Sequence, residues 1–278
     1  MKRILTFAAL WALILIPALA VQAQEAIDQT RPASPDGNVT ISNIAGSITV
    51  TGWDKGEVSV KGTLGRGTER LEFEGEGSST TIRVVLPKHA HNVEGSTLEI
   101  KVPKGSRVSV NAVSADVDVT GVTGSLDLQS VSGDIVSSGT SGEARAQTVS
   151  GDVKLKADGN RIKAKTVSGS IHVEGKSPES LEMGSVSGGI RYEGGLAPTG
   201  SFEASTVSGE IELALPASTA AEFRISTFSG SVDNALPATD GKSTKKTTGG
   251  EHLSFTTGAG GGRVDIESFS GSVRIKKL

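Results

Sequence analysis

The chain has no cysteine, so it can form no disulfide, carry no lipid-modified cysteine and run no thiolate chemistry. Aromatic residues make up only 4% of 278 positions, which leaves few rings on which a sugar could stack. No helix-length stretch repeats apolar residues at three-and-four spacing, so the pattern argues against a helical fold. Beyond the N-terminus there is no long apolar run and no C-terminal anchor, so no membrane span is expected after processing. The Gly-Gly-x-Gly-x-Asp loop of calcium-binding repeats is missing too.

What is present starts with a leader. Lys2 and Arg3 precede an apolar run from Ile4 to Leu19, and Val21-Gln22-Ala23 supplies a small-residue cut site. Residues 1–23 therefore read as a cleavable signal peptide, which implies export to the periplasm, the cell surface or the medium. Removing Lys2 and Arg3 leaves 26 basic against 31 acidic residues, a net charge of about −5. That balance disfavours nucleic acid and anionic lipid as partners. Residues 24–37 (QEAIDQTRPASPDG) are polar and Pro-rich and read as a flexible leader.

From the middle of the chain onward one phrase recurs: a small residue, Val or Phe, Ser-Gly, a polar residue and an alternating strand. It reads SVSGDIVSSG at 130–139, TVSGDVKLKA at 148–157, TVSGSIHVEG at 166–175, SVSGGIRYEG at 185–194 and TVSGEIELAL at 206–215. It returns as TFSGSVDNAL at 227–236 and SFSGSVRIKK at 268–277. Apolar positions after the phrase form a first column, Val117, Ile135, Val153, Ile171, Ile190, Ile211 and Val232, in steps of 18 to 21. A second column, Leu126, Ala144, Ile162, Leu181, Phe202 and Phe223, advances in the same steps.

Two columns moving together, each with an apolar companion two residues on, predict an all-β fold: a single elongated parallel β-solenoid with two short strands per 18–21-residue coil. Within 38–278, residues 98–278 hold the regular repeats, and 38–97 are irregular early coils or a cap. Residues 237–250 (PATDGKSTKKTTGG) read as an excursion looped out of a half-coil. Leu253 with Phe255 is expected to continue the first column, and Val264 with Ile266 the second. The Val or Phe of each phrase (Val131, Val149, Val167, Val186, Val207, Phe228, Phe269) is expected to add a third inward ladder.

Gly133, Gly151, Gly169, Gly188, Gly209, Gly230 and Gly271 are expected to form the turn, where a residue without Cβ, often at positive φ, is needed. The adjoining serines recur in too many coils to be one nucleophile and read as a turn column. Asp116, Asp134 and Asp152 occupy one column in three successive coils, with Asp118 and Asp127 nearby. They are the weak candidate cation column, set against a solvated turn position that becomes Ser170, Gly189 and Glu210 further on.

His89 and His91 would share a strand face without a third ligand, and His172 and His252 stand alone. Outward residues Asp127, Arg145, Lys163, Glu182, Glu203 and Arg224 form a charge ladder expected to pair in neighbours. Lys242, Lys245, Lys246, Lys276 and Lys277 form weak basic clusters read as a solvated loop and tail. Tyr192, Phe202 and Phe223 fall on inward phases, which leaves Trp53, in the GWDKG turn, as the aromatic candidate for an interaction or a packing role. No catalytic residue, cofactor site or defined metal site follows from the pattern.

The stretches GSITVTGWDKGEVSV at 46–60 and LEIKVPKGSRVSVNAVSADVDVTG at 98–121, with the VSGDI and VSGSI phrases and the closing SFSGSVRIKK, resemble the bacterial adhesin-like family of DUF4097 type. Head-domain adhesins and LiaG-like sequences are its neighbours. The resemblance covers nearly the whole processed chain and implies a β-solenoid of the cell envelope with no assigned catalytic or ligand residues.

Sequence and resemblance together point to a non-catalytic exported scaffold, structural or interacting, whose partner is an envelope or cell-surface protein or polysaccharide. End-to-end self-association through open coil edges is a further expectation. The alternatives are a pectinase- or lyase-like β-helix using the stacked carboxylates, and a periplasmic sensor or regulatory accessory.

Overall fold

A computed structural model describes residues 25–89, 92–140, 142–247 and 250–278. The signal segment and His91 lie outside these. All regular structure among the described residues is β, in 23 strands. The first seven are β1 (Glu25–Pro32), β2 (Asn38–Trp53), β3 (Glu57–Leu64), β4 (Arg70–Glu76), β5 (Ser79–Val85), β6 (Ser96–Pro103) and β7 (Arg107–Thr120). Paired half-coils follow: β8 (Leu126–Gln129) with β9 (Ile135–Thr140), β10 (Ala144–Gln147) with β11 (Val153–Ala157), and β12 (Arg161–Lys165) with β13 (Ile171–Gly175). Then come β14 (Ser180–Ser187) with β15 (Ile190–Gly194), β16 (Ser201–Ser208) with β17 (Ile211–Leu215), and β18 (Ala221–Ser229) with β19 (Val232–Asn234). A hairpin of β20 (Asp240–Thr247) and β21 (Gly250–Thr257) precedes the closing pair β22 (Gly262–Ser270) and β23 (Val273–Lys277).

The two apolar columns stack in register on two parallel sheets. In the first, Val117, Ile135, Val153, Ile171, Ile190 and Ile211 are successive rungs. In the second, Leu126, Ala144, Ile162, Leu181 and Phe202 are. All are buried to within 2% exposure, because alternation sends every second side chain into the narrow space between the sheets. The one polar lapse, Ser137, is buried as well and places its hydroxyl 3.3 Å from that of Thr140. Tyr192, Phe202 and Phe223 are core residues, as their phase predicts.

At both ends chain order and spatial order part. β22 and β23 insert between the coil β16–β17 and the coil β18–β19, so Val273 sits between Ile211 and Val232. At the other end β2 lies between β7 and the later strands β5 and β6, all parallel. Antiparallel strands then cover both sheets at the first end and one of the two at the far end. β3 covers β6 and β1 covers β3, and β4 covers β5. At the far end β21 covers β18 and β20 covers β21.

Several expectations change accordingly. The flexible leader is an ordered strand over 25–32, hydrogen-bonded to β3. Residues 38–97 combine coils with antiparallel capping strands. Within the 237–250 excursion, residues 240–247 form the outer strand of a hairpin, and a sequence without apolar residues suits a solvated edge. Leu253 and Phe255 leave the first column. They pair antiparallel with Ile225 and Phe223 of the second, and Phe255 stacks on Phe223 with ring centroids 4.5 Å apart.

Candidate functional site

The repeated phrase builds one corner of the coil, and each of its residues has a separate task there. The small Ser or Thr that opens it points inward and is buried at most positions. At three of them the threonine hydroxyl donates to a glycine carbonyl of an adjacent coil, Thr148 to Gly133 at 3.2 Å, Thr166 to Gly151 at 3.2 Å and Thr227 to Gly271 at 3.1 Å, while Ser130 donates to Ala115 at 3.5 Å and Ser268 to Gly271 of its own phrase at 3.4 Å. A buried carbonyl at a corner, where the ladder is interrupted, thereby keeps a partner.

The glycine is required by close approach. A Cβ at Gly151 would lie 2.3 Å from the Gly133 carbonyl oxygen, and at Gly169 2.0 Å from that of Gly151. Of the seven turn glycines only Gly188 and Gly209 have positive φ, 150° and 149°. The expectation of a left-handed turn therefore holds for those two, and the other five are glycine because the next coil's backbone occupies the Cβ position.

The acidic column also has a structural partner. Asp116 accepts the backbone N–H of Asp134 at 3.0 Å, Asp134 that of Asp152 at 2.8 Å, and Asp152 that of Ser170 at 2.8 Å. Each carboxylate continues the hydrogen-bond ladder across the corner to the following coil. Among the described residues no group of three or more His, Cys, Asp or Glu is placed to hold a metal ion. His89 lies in a turn, off the strand face expected for it, and His172 and His252 lie in separate parts of the fold. The Trp53 indole N–H donates to the Glu57 carbonyl at 2.8 Å, and the ring is flanked by Lys55 and Lys101 ammonium groups at 4.9 and 5.7 Å.

In the charge ladder the expected pairing is met at Lys163 and Glu182, whereas Arg145, although the register neighbour of Asp127, binds Glu143 at 3.4 Å instead. Glu182 binds Lys163 at 2.7 Å and Lys165 at 2.6 Å, which hold its carboxyl below the ordinary range. Glu203 and Arg224 are not neighbours, since Asp265 of the inserted β22 stands between them. On the other sheet Glu212 is the hub. Lys276 and Arg191 each approach to 2.6 Å and Arg274 to 3.8 Å, and these cations, Lys276 foremost, lower its pKa against the opposing effect of burial.

The feature missed in the sequence is the direction of the phrase's Val or Phe. Expected inside, these side chains point out: Val131, Val149 and Val167 are 44–45% exposed, and Phe228 and Phe269 are 55% and 57% exposed. The physical reason is parity. Leu126, Leu128 and Ser130 are inward at two-residue spacing, so position 131 must face solvent. Counting that parity through the hydroxyl residue would have revealed it.

Strand register arranges these side chains as one continuous ridge. In spatial order it runs Ile44, Val113, Val131, Val149, Val167, Val186, Val207, Phe269 and Phe228. Backbone bonds hold each rung to the next, as from Ser150 N–H to the Val131 carbonyl and from Ser168 N–H to the Val149 carbonyl, both 2.8 Å. The two rings stack nearly parallel with centroids 4.9 Å apart. Nine rungs at about 4.8 Å span about 38 Å. Beside the aromatic end lies a groove of about 410 Å³, lined in part by Val207, Phe228, Phe269, His252 and Glu267. Single exposed apolar residues are ordinary on a protein surface, but an unbroken row of nine is not.

The profile of the Toastrack DUF4097 family matches residues 33–276. Among curated proteins none matches the sequence. Solved structures are similar at low identity. A candidate adhesin from Bacteroides fragilis is 13% identical with TM-score 0.43, covering 92% of this chain and 98% of its own. A candidate cell-adhesion protein from Clostridium sporogenes is 11% identical with TM-score 0.27, covering 91% and 100%. A candidate lipid-binding protein from Parabacteroides distasonis is 12% identical with TM-score 0.31, covering 91% and 96%. None of these descriptions names a catalytic activity. No helix of the described residues is long and apolar enough to cross a membrane.

Proposed function

Since the chain belongs to the Toastrack DUF4097 family, a family of adhesin-like β-solenoids, we propose that it is an exported, non-catalytic scaffold of the bacterial envelope that works by presenting the apolar ridge as a contact surface. The observation that carries this reading is the ridge itself: nine outward apolar side chains in one register, on a backbone that cannot shift them individually. A solenoid suits such a role because its coils are locked rung to rung and hold a line of contacts rigid over its length. The stacked carboxylates of the acidic column support the corner, and their backbone bonds give them work without any catalytic step.

Export is tested by the mass of the processed chain, which should begin at Gln24. The contact surface is tested in cells. The wild-type chain should co-fractionate with envelope material in an assembly larger than itself, and a V149K/V186K variant should be released from it. Equal retention of the two would overturn the reading. Accumulation of the unprocessed chain in the cytoplasm would overturn export.

A further inference from the structure

We propose that the occupant of the ridge is a second copy of this chain, packed ridge against ridge and antiparallel about a two-fold axis perpendicular to the rod. The inference rests on the reading of the ridge as a contact surface and names its partner. Three observations carry it.

The first is period. The knobs of the ridge are spaced by one strand separation, and another such ridge has the same spacing. Two combs of equal pitch mesh when offset by half a rung, so that each Val lies between two of its partner's. A two-fold axis running along the ridge cannot produce that offset, whereas one perpendicular to it can.

The second is charge. On one flank the ridge is bordered by exposed serines such as Ser132, Ser150 and Ser168. The opposite flank consists of outward residues that are mostly uncharged, among them Asn111, Gln129, Gln147 and Ser205, with Lys165 and Glu267 the charged members. Two identical faces therefore meet with little like-charge repulsion. Beyond the serines the acidic column is confined largely to one half of the rod. Offset by half a rung, antiparallel pairing sets Asp152 between the partner's Ser170 and Gly189, Asp134 between the partner's Gly189 and Glu210, and Asp116 between the partner's Glu210 and Ser272. The outlying Glu210 is already ion-paired with Arg274.

The third is size. A ridge about 38 Å long with its flanking columns covers roughly 600 Å² per copy, so a pair buries on the order of 1,200 Å², the lower bound of specific interfaces. An apolar centre rimmed by hydroxyl and amide groups is also the usual anatomy of such an interface.

The purified chain at micromolar concentration should sediment at twice its chain mass. The V149K/V186K variant should sediment as a monomer with unchanged strand circular dichroism and melting. Val136→Lys is the control, since Val136 is also exposed, at 38%, but stands on the outer face of β9 away from the ridge; it should remain dimeric. The chain has no cysteine, so orientation is read from single introduced thiols oxidised with diamide. Ser168→Cys, at the central rung, should cross-link to its own copy, and Ser208→Cys, near one end, should not.

A monomeric wild type, or a V149K/V186K variant that remains dimeric, would overturn the proposal. Cross-linking of Ser208→Cys but not Ser168→Cys would overturn the antiparallel arrangement. If the wild type is monomeric and instead floats with neutral phosphatidylcholine vesicles through the ridge, the occupant is lipid and the second copy is excluded. Loss of envelope co-fractionation by V149K/V186K together with a monomeric wild type would overturn the dimer alone and leave the scaffold reading standing.

Discussion

Single residues at the corner are held by contacts that make sharp demands. Gly151→Val would drive a Cβ to 2.3 Å from the Gly133 carbonyl, and we expect a loss of about 3 kcal/mol. Exposed Lys154→Ser should stay within about 0.5 kcal/mol of wild type, as judged by denaturant melts. The acidic column separates two roles by a simple pair of changes. Asp134→Ala removes the acceptor for the Asp152 N–H and should cost about 1 kcal/mol, while Asp134→Asn retains an acceptor oxygen and should cost less than about 0.5 kcal/mol. Added calcium should leave the melting temperature of the wild type unchanged; a calcium-dependent rise in the wild type that both variants lose would assign the column to a cation. The sequence shows Gly and Asp at these positions plainly. It does not show what they touch, because the contact is with a backbone 18 residues away.

Strand pairs carry the electrostatics. Glu212 lies on β17 with Arg191 of β15 on one side and Arg274 of β23 on the other, and Lys276 completes the cluster. These cations depress its folded pKa below the ordinary 4.5. The contribution to stability is therefore complete above 4.5 and is lost as pH falls through the depressed folded value. We expect Glu212→Gln to melt below wild type at neutral pH, and the gap to close on acidification through and below 4.5. A gap that persists unchanged in acid would show that the loss comes from packing. Sequence periodicity identifies the strands from Val117 to Ile211 and their phase. It misses that Arg274 is the neighbour of Glu212, since that pairing depends on where the last coil inserts.

Across the whole rod, stability is passed between neighbouring coils, and the inserted last coil is the point on which the far end depends. A chain ending at Gly258 lacks β22 and β23, the strands that join β16 and β17 to β18 and β19. Amide exchange in β18, β19 and β21 should then rise to loop-like rates while β8 to β13 keep their protection. Full protection in β18 would mean that it docks directly on β16. The edges are a charged antiparallel strand, β4, at one end and a three-residue parallel strand, β19, at the other, and charged or very short edge strands discourage further strand addition. The proposed side-on pairing of two ridges leaves these edges free.

By itself the sequence determined that the chain is a two-column solenoid, where its corner lies and which columns make the core, because repeat length and two-residue alternation are local properties of the chain. Only the tertiary structure decided the order in which coils stack at the ends, because several phrases are chemically equivalent and any of them can occupy an open parallel edge. It also decided that the Val and Phe of the phrase face solvent: hydrophobicity alone would bury them, but the parity fixed by the buried hydroxyl residue beside them turns them outward.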